Sequence, residues 1–188
     1  ARNKQGHVYV SDARDFLPNN THLVITSPPY MNGFDYVTNF KIEMAWLGFT
    51  SDLREAKALK DSMVACDNIS KGVTKEFADR GAKYREPWLD AILERLRENI
   101  NNWGTAHKDV RIQRKRRGAP LVGYRRPDMP DIVHKYFDDM DMVMAKTAAG
   151  LVDNGCAVFV MGDSFIADTY IPTDLLIAKM GALHGLTI

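Results

Sequence analysis

Apolar residues fall into two patterns along this chain. Three continuous runs predict strands: His7-Val8-Tyr9-Val10, His22-Leu23-Val24-Ile25 and Cys156-Ala157-Val158-Phe159-Val160-Met161. The last two read as buried strands, with Cys156 a small core residue. Elsewhere the spacing is helical. Phe40, Met44 and Leu47 mark a helix over Asn39 to Leu47, with Gly48 as its stop. Ser51 or Asp52 caps a helix through Arg54 to Leu59. Leu89, Ile92, Leu93, Leu96 and Ile100 share one face of a helix from Trp88 to Ile100, with Pro87 near its start. Ile132, Tyr136, Met140, Val143, Met144 and Leu151 form the apolar side of a long helix from Ile132 to Asp153, which Asn154-Gly155 ends. A last helix runs from Leu175 to His184, with Pro172-Thr173-Asp174 at its start. Leu186-Thr187-Ile188 opens a further strand.

Strands alternating with helices predict an α/β fold, a mostly parallel sheet with crossover helices. Ligands in such sheets sit beyond the carboxyl ends of the strands. Three polar tips fall there: Asp12 to Asp15, Ser27 to Tyr30, and Gly162 to Ser164. Their convergence follows from the predicted topology.

Composition narrows the function classes. The 188 residues suffice for one core of ordinary size. Two cysteines, far apart, exclude a disulfide framework and a zinc site, and no metal is expected. No stretch is apolar and long enough for a membrane span, and no signal peptide opens the chain. The expectation is a soluble protein inside the cell. The net charge of +1 says little, but its distribution says more. Lys108, Arg111, Arg114, Lys115, Arg116, Arg117, Arg125 and Arg126 crowd a segment with few acids. Such clustering suits contact with phosphates, or else a solvated face.

The most unusual local feature is Thr26-Ser27-Pro28-Pro29-Tyr30, directly after a predicted strand. Two prolines end the strand, fix φ and push the preceding residues to extended geometry. The result is a stiff tip presenting a hydroxyl, backbone carbonyls and an aromatic ring. It suits holding a flat polar ring and one amino group.

With Asn32 and Asp35-Tyr36 following, this tip resembles the catalytic motif of S-adenosylmethionine-dependent DNA amino-methyltransferases, which methylate N4 of cytosine or N6 of adenine. The stretch Val10 to Asp15 resembles the segment after another core strand of that family. Tyr136-Phe137-Asp138-Asp139-Met140 and Val160-Met161-Gly162-Asp163-Ser164 resemble its later core. The resemblance covers roughly the first 49 and the last 60 residues. It implies a Rossmann-like class I methyltransferase sheet, partial and mostly parallel, with a largely helical insertion. The catalytic core would comprise 1–49 and 127–188, and residues 50–126 would form an inserted DNA-recognition element. Ser27, Pro28, Pro29 and Tyr30 would be catalytic, with the Ser27 hydroxyl and the Pro28 carbonyl accepting from the target amine. Asp12 and Ser27 would face the cofactor, and Asn32, Tyr36, Arg114, Lys115, Arg116 and Arg117 the DNA. The serine form of the motif favours cytosine N4. The cofactor would be S-adenosylmethionine, the partner DNA, and the setting a bacterial or archaeal cytoplasm, at the nucleoid, in restriction-modification. An RNA guanine-N2 methyltransferase and a non-catalytic nucleic-acid-binding subunit are the alternatives.

The family's cofactor grip, a Phe-x-Gly-x-Gly turn, has no counterpart in these residues; no Gly-x-Gly occurs. The expectation is a fragment, a split enzyme completed by a second chain or segment carrying that turn, or a catalytically silent copy. Apolar strands needing neighbours on both sides favour the first two.

Overall fold

A computed structural model of the chain describes residues 6–16, 18–31, 35–66, 68–106 and 126–188. Its centre is a parallel pair of strands, β1 (Thr21–Thr26) and β2 (Leu151–Phe159). Leu23, Val24, Ile25 and Thr26 lie opposite Cys156, Ala157, Val158 and Phe159, whereas Thr21 lies opposite Leu151. The extra residues of β2 form a bulge containing Asn154, with φ +62°, and Gly155. A Cβ on Gly155 would stand 2.9 Å from the Val152 carbonyl and 3.2 Å from that of Thr21, so only glycine fits there.

Seven helices are described: α1 (Tyr36–Asn39), α2 (Lys41–Trp46), α3 (Leu53–Ser62), α4 (Lys71–Arg80), α5 (Pro87–Ala106), α6 (Met129–Gly150) and α7 (Thr173–Leu183). A two-stranded hairpin, β3 (Ser164–Ile166) and β4 (Thr169–Ile171), stands between β2 and α7. Asp52 caps α3 by accepting from the Arg54 and Glu55 N–H groups, and Glu55 reciprocates to the Ser51 N–H and hydroxyl. The predicted face of α5 is buried from Leu89 to Ile100. It meets α6, whose Ile132, Tyr136, Met140, Val143 and Met144 lie in the same hydrophobic cluster as Ile171, Leu176 and Met180. Helices of the 50–126 stretch therefore share one core with the C-terminal third.

Two acids inside α6 organise this packing. Asp138 accepts from the Lys83 and Tyr84 N–H groups at 2.7 and 2.8 Å and from Arg80 at 2.8 Å, which docks the chain between α4 and α5. Asp139 accepts from the Ala65 N–H at 2.9 Å and from Lys135 at 2.8 Å. The imidazole of His134 meets the Tyr84 carbonyl at 2.9 Å and packs edge-on against Phe77.

Several expectations are corrected. Residues 7–10 form no strand: no described strand pairs with them, and Val8 and Val10 stand in solvent. The expected helix over 39–47 is broken at Phe40, whose ψ of 18° separates α1 from α2. The long helix ends at Gly150 rather than Asp153, and Asn154-Gly155 shapes the bulge instead of a helix terminus. Neither strand is buried from both sides. Val24, Thr26, Ala157 and Phe159 are partly buried on one face, while Leu23, Ile25, Cys156 and Val158 are exposed on the other. Cys156 is thus a surface thiol and not a core residue. Residues 186–188 carry no strand. Helix α4 and the β3–β4 hairpin were not foreseen. No described helix is long and apolar enough to cross a membrane.

Candidate active site

Each residue of the tip is placed by its neighbour. β1 ends at Thr26, whose carbonyl accepts from the Val160 N–H at 2.8 Å, and the two prolines then carry the chain away from the sheet. Pro28 and Met31 point into the protein, Met31 being fully buried in the core. Ser27 and Tyr30 point out, and their hydroxyls stand 3.5 Å apart. The tip is thus clamped by two buried side chains and presents two polar ones. Downstream, Asp35 caps α1 through the Thr38 N–H and hydroxyl and pairs with Lys60 of α3 at 3.1 Å. Burial pushes the Asp35 carboxyl up, but these hydrogen bonds and Lys60 hold it below its ordinary value. Tyr36 opens α1 and is exposed.

Asp12 is not a free acid. Arg14 donates to Asp12 Oδ1 through its backbone N–H and Nε, at 2.9 and 3.0 Å, and to Oδ2 through Nη2 at 2.6 Å. The Arg14 hydrogen bonds hold the Asp12 carboxyl below its ordinary value. The same guanidinium reaches Asp139 Oδ1 at 3.4 Å and the Ser62 carbonyl. Asp12 is therefore seated, through Arg14, on the turn of α6 that also carries Tyr136, three residues earlier.

The Gly162–Ser164 tip lies beside the Ser27–Tyr30 tip through the β1–β2 register. Asp163 Oδ2 accepts from the Tyr170 hydroxyl at 2.5 Å, chiefly for which reason its carboxyl titrates low. The hairpin presents Phe165 and Tyr170 as an exposed cross-strand pair and buries Ser164, Ile166, Thr169 and Ile171. Asn32, Arg114, Lys115, Arg116 and Arg117 lie outside the described residues. Among the described residues no group of three or more His, Cys, Asp or Glu is placed to hold a metal ion.

The chain is similar to a methyltransferase. It is 24% identical over 183 residues, 95% of its own length, to the Type II methyltransferase M.BsoBI of Geobacillus stearothermophilus. The match takes in the tip, the helices after it and the C-terminal third, and supports a methyltransferase relationship for the whole stretch. The chain spans about a third of that relative's length, 35%. No family model matches the chain, and no solved structure does.

Arg14 and Met31 escaped the reading of the sequence. Met31 directly follows the motif, and an apolar residue there is the one signal that the tip is anchored. Arg14 sits two residues from Asp12, which is a local pairing distance, but its second acid, Asp139, is 125 residues away.

Proposed function

We propose that this chain is the catalytic-tip portion of a DNA amino-methyltransferase that moves a methyl group from S-adenosylmethionine to the exocyclic amine of an extruded base, cytosine N4 in preference to adenine N6. The observation that carries this reading is the tip itself. Ser27 and Tyr30 face outward from a proline-stiffened strand end whose anchors, Pro28 and Met31, are buried, in a chain similar along nearly all its length to a Type II methyltransferase. The cytosine preference rests on serine at the head of the motif.

An exocyclic amine is a poor nucleophile because its lone pair is delocalised into the ring. The Ser27 hydroxyl and the Pro28 carbonyl accept its two N–H bonds. They favour a pyramidal nitrogen and stabilise the positive charge that grows on it, as preorganised dipoles do. Because Pro28 and Met31 lock the backbone, the acceptors need little reorganisation at the moment of reaction. Tyr30 stacks on the base, which must leave the duplex to reach the tip. The cofactor supplies the electrophilic methyl group. Of the groups that would hold it, the Asp12 carboxylate fits the adenosyl end: it is ionised, exposed on one side, and Arg14 uses three of its roughly four acceptor positions. The described residues offer no comparable grip for the methionine end. A second segment or chain bearing a Gly-rich turn supplies it in this proposal. Arg114, Lys115, Arg116 and Arg117 contact the phosphates.

The test is transfer of radiolabelled methyl from S-adenosylmethionine, by this chain within the complete protein, to DNA and RNA oligonucleotides, with chromatography of the product nucleosides. N4-methylcytosine in DNA is expected. Methylation of RNA alone would replace the substrate. No transfer, with DNA still bound, would make the chain a binding subunit. Replacing the four basic residues from Arg114 to Arg117 by alanine should flatten the salt dependence of binding by up to about 0.9 log unit per lost phosphate contact. An unchanged slope would return that run to a solvated face.

A further inference from the structure

A buried hydroxyl without a partner calls for a cause, because nearly all buried polar groups are satisfied. Tyr136 has such a hydroxyl. Its side chain is 0% exposed, and its oxygen finds no hydrogen-bond partner among the described residues. A phenylalanine would pack equally well and would leave nothing unsatisfied.

Its place in the fold suggests what it is for. Gly150, the last residue of α6, lies beside the Leu151–Thr21 pairing at the start of the sheet. Tyr136 is fourteen residues back along the helix, about 21 Å at 1.5 Å per residue. Thr26 is five residues along β1 from Thr21, about 17 Å at 3.3 Å per residue. Tyr136 therefore stands level with the residues just beyond Thr26, behind the tip. Burial first, and the neighbouring Tyr30 second, push its phenol above the ordinary value, so it remains a neutral donor at working pH. Its ring is set edge-on against Phe137 at 5.3 Å. In front of it, the Tyr30 hydroxyl makes a long contact to Ser27 Oγ at 3.5 Å. That contact holds the Tyr30 ring against the hydroxyl that the proposed site offers to the target amine.

We infer that Tyr136 is a positioning residue for Tyr30: when a base enters beside Ser27, the Tyr30 hydroxyl leaves Ser27 Oγ and takes up the Tyr136 hydroxyl, which frees Ser27 and fixes the aromatic ring for stacking. The inference rests on the reading of the tip as a base-binding site. Tyr136 touches neither base nor cofactor in this arrangement and acts through Tyr30.

A second orphan supplies the control. The Tyr84 hydroxyl is also buried without a partner among the described residues. Its phenol is pushed up to about 12 by burial and by Glu86 and Asp141, with no contribution from Tyr30. The experiment measures affinity for a mixed-sequence single-stranded DNA oligonucleotide, with thermal unfolding alongside, for the wild-type chain, Tyr30→Phe, Tyr136→Phe, their double variant and Tyr84→Phe. Tyr136→Phe should unfold at the wild-type temperature or higher, having lost only an unsatisfied group. It should bind about tenfold more weakly, as should Tyr30→Phe, and the double variant should lose no more than either single one. Tyr84→Phe should bind like wild type. Wild-type affinity in Tyr136→Phe, multiplicative losses in the double variant, an equal loss in Tyr84→Phe, or a wild-type chain that binds no oligonucleotide would each overturn the inference. Methyl transfer is scored separately. Coupled binding without transfer would leave the Tyr30–Tyr136 pairing standing and remove the catalytic reading.

Discussion

Ser27 and Arg14 illustrate how single side chains at this site divide between chemistry and support. Ser27 is exposed and, among the described residues, held by its long contact to Tyr30, so its removal disturbs little packing. In the complete protein, Ser27→Ala should lower turnover about 100-fold, the usual effect of deleting one preorganised acceptor or donor, while DNA affinity barely moves. Steady-state methyl transfer and filter binding on the same variant check this; equal losses in both would count against a transition-state role. Arg14 does the opposite job. Its fork occupies Asp12 and bridges to Asp139. Arg14→Ala should return the Asp12 carboxyl upward toward its ordinary value of 3.8, since the Arg14 hydrogen bond is the largest cause of its depression. Carboxyl titration by NMR reads this directly, and an unmoved titration would mean that another group sets it.

Helix α6 owes its position to acids as much as to apolar residues. Asp138 is pushed up by burial but held below its ordinary value by the Tyr84 N–H, Arg80 and the Lys83 N–H. A carboxyl depressed in the folded state adds stability above its unfolded value, near 3.9, and that stability is lost as the pH falls through the folded value. Asp138→Ala should therefore cost about 2–3 kcal/mol at neutral pH, because two N–H groups lose their acceptor, and the deficit should shrink below about pH 4. Urea unfolding across that range measures it; a deficit independent of pH would point to packing alone. Such pairings also mark the limit of what the sequence discloses. The faces of α5 and α6 are legible because their apolar residues recur every three and four positions. Helix α4 is not: only Val73 and Phe77 mark its buried side, and Thr74 is accommodated by its hydrogen bond to Asp128, 54 residues away. Asn154-Gly155 is ambiguous in principle, since a helix end and a left-handed bulge ask for the same residues. The tip itself is legible because prolines act locally; its anchors and the orphan Tyr136 behind it are not, because they depend on where α6 lands.

Among the described residues the sheet is covered on one side. Helices α5, α6 and α7 share the core into which Phe159 and Met161 pack, while the far face of the sheet leaves Leu23, Ile25, Val158 and Val160 open, Ile25 at 69% exposure. Parallel sheets are ordinarily covered on both faces, and two strands alone are a small sheet. In the proposed complete enzyme, the segment with the Gly-rich turn covers this face and brings its cofactor grip to the same strand ends as Ser27. A double replacement, Leu23→Lys with Val160→Lys, at exposed sites that do not stand opposite each other, separates the two states. In the isolated chain both side chains are exposed, so the unfolding free energy should stay within about 0.5 kcal/mol per site, and dye binding to apolar surface should fall. In the complete protein the same lysines would enter a buried face unpaired and should cost several kcal/mol, with loss of methyl transfer. Denaturation of both forms decides it. A large cost in the isolated chain would mean that the face is already covered there, and no cost in the complete protein would mean that nothing ever covers it.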